Sequence, residues 1–202
     1  SFGEYVAYKR EKGSIANEFL KDVEAAMASG VVLKDGNSAT VVRASLAGQS
    51  VVIKRYNLKN IFHAFTRLYR PSRAWNAWRA AHLLDTCGIN TPKPYLLKEN
   101  RFGILRRNAY LITEAIDAEE LTEVYAKRLP TEKEIADLKR LFNLLAEVGI
   151  SHGDLKATNI MLGDRGLFLI DLDVLHELTV TKKAEQAHQN DKARFMKNWQ
   201  KK

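Results

Sequence analysis

Apolar residues change their spacing several times along the chain, and each change marks an element. From Ser14 to Ala28, Ile15, Phe19, Val23 and Ala26 recur at helical spacing, with Ser14 placed to cap the start and Gly30 the end. The next stretch, VVLKDGNSATVVRASLAGQSVVIKRY, alternates short β-branched runs with turn residues at Asp35-Gly36-Asn37 and Gly48-Gln49. That pattern predicts an antiparallel meander. Helical spacing returns in NLKNIFHAFTRLYR, where Leu58, Ile61, Phe62, Phe65, Leu68 and Tyr69 form one stripe and Lys59, Arg67 and Arg70 lie off it. Pro71 ends that helix. A second helix is predicted over Ser72 to Thr86, closing at Gly88, and TPKP is extended. Strands follow near Tyr95–Glu99 and in AYLITEAI. A long helix runs from Thr131 to Val148, with Thr131 and Glu134 in capping-box spacing. A polar helix, Lys182 to Trp199, comes last. Strands precede helices, so the expected class is α+β, with a sheet-rich front and a helical back.

Composition narrows the partners more than the fold. Hydrophobic residues make up 46% of the 202, enough for a sizeable core. The formal net charge of +8 points to an anionic partner: nucleic acid, an acidic membrane face or a phosphorylated substrate. Cys87 is the single cysteine, so no intrachain disulfide forms and a reducing compartment is expected. No apolar run reaches the length of a membrane span, and the start lacks a signal-peptide pattern.

One stretch carries chemistry: SHGDLKATNIMLGDRGLFLIDLD, from Ser151. Phosphoryl transfer demands positioning more than reactive groups. A carboxylate must orient the accepting hydroxyl, a second carboxylate and an amide must hold Mg²⁺, and a lysine must neutralise moving charge. The loop supplies Asp154 as the base, Lys156 as the lysine and Asn159 as the amide, and the apolar strand LFLID delivers Asp171 beside Asn159. Oxygen donors of this kind suit Mg²⁺. His152 fits a structural, hydrogen-bonding place under the loop better than acid–base chemistry. The remaining histidines and Cys87 have no metal-ligand spacing, so no zinc site is expected.

These residues resemble the catalytic loop and metal-binding strand of the protein-kinase-like superfamily. The resemblance implies a small two-lobed kinase-like fold, with residues 1–116 as an N-lobe of N-terminal helix and nucleotide-binding sheet, and 117–202 as a reduced helical C-lobe. In VVIK it makes Lys54 the lysine on the ATP phosphates. It places DGNSATVV at the phosphate flap and YLITEAI at the hinge, where backbone near Glu114 and Ile116 meets adenine. Val41, Val52 and Met161 join the nucleotide-binding set. A narrower resemblance, through IKRYN, RPSRAWNAWRAAHLLDTCGINTPKPYLL, HGDLKATNIM and IDLD, is to the lipopolysaccharide core (Kdo/heptose) kinases. It implies ATP and Mg²⁺ as cofactors, a core sugar hydroxyl as acceptor, and a cytoplasmic location, peripheral on the cytoplasmic face of the inner membrane.

Several features depart from a standard protein kinase. The flap has only Gly36 of the usual glycines, and AWNAWRAAH offers no glutamate to pair with Lys54. IDLD has Leu172 and Asp173 in place of Phe and Gly, adding a carboxylate near the metal. About 30 residues follow Asp171, an extent expected to leave no room for an activation segment and peptide platform. Two rivals stand beside the lipopolysaccharide reading. A kinase of the aminoglycoside or choline type would carry a larger back lobe and an acidic acceptor pocket. A non-catalytic binding module would have no need for Asp154, Lys156, Asn159 and Asp171 together. The basic, aromatic-rich segment Lys54 to Arg79 reads either as a solvated helix face or as a contact for anionic lipid; the kinase pattern favours membrane or glycolipid over nucleic acid.

Overall fold

The computed structural model describes residues 2–8, 10–57, 71–102, 105–178 and 181–199. The helix expected over 58–70, with its basic face, lies outside them. The chain forms two compact units, residues 1–79 with 93–115, and 80–92 with 116–202.

The first unit is a six-stranded antiparallel sheet with two short helices on one face. Its strands are β1 (Phe2–Tyr8), β2 (Val31–Gly36), β3 (Ala39–Leu46), β4 (Gln49–Tyr56), β5 (Pro94–Phe102) and β6 (Leu105–Glu114), in the order β1-β5-β6-β4-β3-β2. The meander of β2, β3 and β4 is present as the β-branched runs predict. The period of two sorts its side chains. Val42, Ile53, Leu96 and Ile112 are buried on one face, against Ile15 and Phe19 of the helices. Phe19 and Tyr110 meet edge to face, with ring centroids 5.7 Å apart. Strand β1, pairing with β5 from Phe2↔Phe102 to Tyr8↔Leu96, was not read from the sequence.

The single helix expected over Ser14–Ala28 is two: α1 (Gly13–Lys21) and α2 (Val23–Ala28). The chain breaks at Asp22, extended at φ −153° and ψ 94°, whose carboxylate accepts from the Ala25 N–H at 2.9 Å and caps α2. Ser14 lies inside α1 rather than capping it. Gly30 is needed for close approach: a Cβ there would sit 2.2 Å from Val42 Cγ1 and 2.6 Å from the Arg43 carbonyl.

Helix α3 (Arg73–Thr86) follows the predicted span. Ser72 caps it, its hydroxyl accepting from the Trp75 N–H at 2.9 Å. Gly88 closes it at φ +71°.

The second unit holds the three-stranded sheet β10-β9-β7, built from β7 (Ala118–Glu120), β9 (Ile160–Gly163) and β10 (Gly166–Leu169). The ribbon of β8 (Ile150–Ser151) and β11 (His176–Glu177) lies in the same unit. Helices α4 (Leu121–Lys127), α5 (Glu132–Glu147) and α6 (Thr181–Lys197) complete it. The Thr131–Glu134 capping box is present, and Glu134 also accepts from the Arg128 guanidinium at 2.5 Å. Those hydrogen bonds to Arg128 hold the Glu134 carboxyl at about 2. Helix α6 is not the purely polar tail its composition suggests: Asp191 and Phe195 are buried, and Phe195 stacks edge-on to Phe142 at 5.4 Å.

Candidate active site

In the first unit, strand alternation places the expected nucleotide residues together. Val41 is the cross-strand partner of Lys54, and Val52 lies two residues before it, so all three share the sheet face opposite the α1–α2 core. Each is half-buried there, while Val42, Val51 and Ile53 between them are buried. The Lys54 ammonium lies 4.8 Å from the centre of the Tyr56 ring on that face, and the Arg73 guanidinium 5.4 Å from the same ring. Glu114, at the end of β6, is fixed to the segment before β5: its N–H donates to the Lys93 carbonyl at 2.8 Å and its carboxylate accepts from the Lys93 N–H at 3.3 Å. Its neighbour Ala115 donates to the Ser50 carbonyl at 3.3 Å.

In the second unit, the loop from His152 to Asn159 is held almost atom by atom. Gly153 has φ +77°, and a Cβ there would meet the Val174 carbonyl at 2.5 Å, so glycine is required before Asp154. The Asp154 carboxylate is half-exposed and accepts from the Lys156 ammonium at 2.8 Å. Asn159 is buried, and its Nδ2 donates to the Asp154 carbonyl at 2.9 Å. That bond sets the amide orientation and leaves Oδ1 as the atom available to a cation. The Ile170 N–H donates to the Asn159 carbonyl at 3.0 Å, so Asn159 and Asp171 sit on adjoining backbone, as the sequence predicts. Asp171 itself is left-handed, at φ 58° and ψ 53°, a strained conformation that turns the chain out of the strand. Asp173, two residues on, is buried. Met161 lies half-buried on β9, opposite Phe168 and Glu120.

Two further groups brace the loop. His152 is fully buried, with Nε2 3.0 Å from the Ile170 carbonyl, the structural place foreseen for it. Burial pushes its imidazole below the ordinary histidine range, so the ring is neutral at pH 7. The second group, Asp191 on α6, escaped the sequence reading. Its buried Oδ2 accepts from the Ser151 hydroxyl at 2.7 Å, the His152 N–H at 2.9 Å and the Gly153 N–H at 3.4 Å. Nothing in QNDKARF distinguishes that aspartate from a solvated one; Phe195, four residues on, is the only hint of a buried face. The segment between α3 and β5 helps as well: Leu169 donates to the Asn90 carbonyl at 2.9 Å, and the Thr91 hydroxyl donates to the Leu169 carbonyl at 2.8 Å.

An antiparallel sheet with a lysine on the face away from its two helices, and a glycine-hinged loop coupled to an acidic strand end, are the features of the protein-kinase-like class. The sequence model of the lipopolysaccharide kinase (Kdo/WaaP) family matches residues 27–200, and the chain belongs to that family. It is therefore a kinase, acting in lipopolysaccharide synthesis, with ATP as the donor that kinase membership implies. Among solved structures it is similar to WaaP in complex with acyl carrier protein, at a TM-score of 0.65 and 16% identity over 95% of this chain and 79% of that one. That likeness supports the fold. No curated protein matches the chain.

Proposed function

We propose that this protein transfers the γ-phosphoryl group of ATP to a sugar hydroxyl of the lipopolysaccharide inner core, at the cytoplasmic face of the inner membrane. The observation that carries the reading is the joined loop and strand end: Asp154, Lys156 and Asn159 on one bonded loop, with the Asn159 backbone tied to Ile170 and so to Asp171. Asp154 is the base that orients the acceptor hydroxyl and takes its proton as the new O–P bond forms and the bond from the γ-phosphorus to the bridging oxygen breaks, releasing ADP. Lys156, already on that carboxylate, offsets the charge that builds on the transferring group. Asn159, through Oδ1, and Asp171, through its carboxylate, are the oxygen donors that would hold Mg²⁺; bound there, the ion draws charge from the phosphates. Lys54 is the cation for the ATP phosphates. Val41, Val52 and Met161 supply apolar surface for the base, with the backbone near Glu114 and Ile116 as its polar contact.

The test is incubation of the protein with labelled ATP and three acceptor sets: lipopolysaccharide cores, free sugars and unrelated proteins. Label on a core sugar is the expected result. Label on free sugars instead would favour the small-molecule kinase, and no transfer to any acceptor would leave the binding module.

A further inference from the structure

A groove in the second unit takes no part in the site above. It lies between α4, α5 and α6, has a volume of about 800 Å³, and is lined mainly by apolar side chains. Large apolar residues stand open to solvent around it: Leu129 is 86% exposed, Met196 51%, Ile135 41% and Trp199 38%. Apolar surface gathered in one place marks an interaction face, whereas single exposed residues do not. Among the described residues the lining has two charged side chains, Lys139 and Lys192, and no carboxylate. Their methylene stems can lie along the apolar wall while the ammonium groups reach the rim.

Helix α6 ties this face to the reaction loop. Its Asp191 holds residues 151–153, and Asn198, just past its end, accepts from the Ala157 N–H at 3.2 Å. Lys192, Phe195 and Met196 of the same helix line the groove. At a rise of about 1.5 Å per residue, Met196 is only about 7.5 Å along the axis from Asp191.

We propose that this face docks on an anionic phospholipid bilayer. Leu129, Ile135, Met196 and Trp199 enter the interfacial layer, and Lys139 and Lys192 meet the headgroup phosphates. The proposal rests on the lipopolysaccharide reading: a core sugar close to its lipid anchor needs a reaction loop held close to the membrane, and α6 supplies that short separation. The charge pattern selects this occupant over a second copy of the chain, since a two-fold contact through the groove would bring the two pairs of lysines together.

The test is co-sedimentation with vesicles of phosphatidylglycerol in phosphatidylethanolamine and, separately, of phosphatidylcholine. The protein should bind the first set and hold the second at least about tenfold more weakly. Leu129→Asp with Met196→Asp, both at open positions, should weaken binding on the order of a hundredfold, about tenfold per side chain withdrawn from lipid. Lys139→Gln with Lys192→Gln should weaken it about fivefold per charge, and less as salt rises. Thermal melting confirms folding, and the lysine pair carries the test if the apolar variant unfolds. Failure of the wild type to bind anionic vesicles, or unchanged binding by the folded lysine variant, overturns the proposal. So does a dimer in light scattering that the aspartate variant abolishes, which would assign the face to a second copy. The readout is independent of catalysis: docking without transfer to any core would sink the acceptor reading and leave this one standing.

Discussion

The two units are held together by different physics. The sheet of the first unit encloses an almost wholly apolar cluster, in which Ile15, Phe19, Val42, Ile53, Leu96 and Ile112 pack between strands and helices. The centre of the second unit buries Ser151, His152, Asn159, Asp173 and Asp191 among its apolar side chains. Apolar burial is non-directional, so this cluster gains stability from packing without fixing any single atom, and the buried Thr40, Lys98 and Glu99 of the same unit lie outside it. Buried hydrogen bonds are directional and costly to leave unmade, so the second unit fixes individual atoms of a loop. A surface that receives a nucleotide can be built the first way. A loop that must hold a base and a metal ligand in register is built the second way.

The largest effect should separate chemistry from both kinds of packing. Asp154→Asn keeps the shape of the loop and removes the base, so turnover should fall about 10²–10⁴-fold while the melting temperature and nucleotide affinity stay put. Calorimetry showing an equal loss of ATP binding would assign Asp154 another role.

Next come two substitutions that set one unit against the other. Ile53→Ala should cost about 2–5 kcal/mol of stability, because the sheet core cannot close on the cavity. The protein that remains folded should turn over normally. Asp191→Asn should cost less, about 1–3 kcal/mol, since the amide keeps one acceptor oxygen. It should nevertheless lower turnover per folded molecule, with the pH profile of the reaction altered as the loop loosens. Denaturant melts and single-turnover rates on both variants decide this. Equal catalytic loss in the two would erase the distinction between the units.

A pH series sharpens the same contrast. The His152 imidazole is held below its unfolded value, so the unfolded chain binds the extra proton first as the solution acidifies. The stability from this buried neutral ring is complete above about pH 6.5 and is lost as pH falls toward the lowered value. Wild-type melting temperature should therefore drop below that pH, and His152→Asn should flatten the drop. No change in slope would show that the ring does not titrate with folding.

The smallest effect belongs to the surface of α5. Glu134, held at about 2 by Arg128, contributes stability above the ordinary carboxylate range that is lost as pH falls from about 4.5 toward 2. Arg128→Gln should remove only this acid limb, and added salt should mute it in the wild type. A variant that melts as the wild type does above pH 5, where the pair is fully charged, would leave the pair without a role.

Much of this was legible because it is local. A period of two in VVLKDGNSATVVRASLAGQSVVIK fixes which residues share a face, and Val41, Val52 and Lys54 fall together for that reason alone. The Thr131–Glu134 capping box needs only a spacing of three. Asp154, Lys156 and Asn159 are near in sequence, so a loop that closes on itself brings them together. The break at Asp22 was not legible, because helical periodicity continues across it and only the carboxylate's bond to Ala25 shows where one helix stops. Asp191 was decided by tertiary structure alone. A lone aspartate in a polar helix carries no sign of burial, and its partners Ser151, His152 and Gly153 lie about 40 residues away in the chain. Side-chain chemistry and short spacing set what the loop can do; packing of a distant helix, through hydrogen bonds that exist only once water is excluded, sets whether it is held ready to do it.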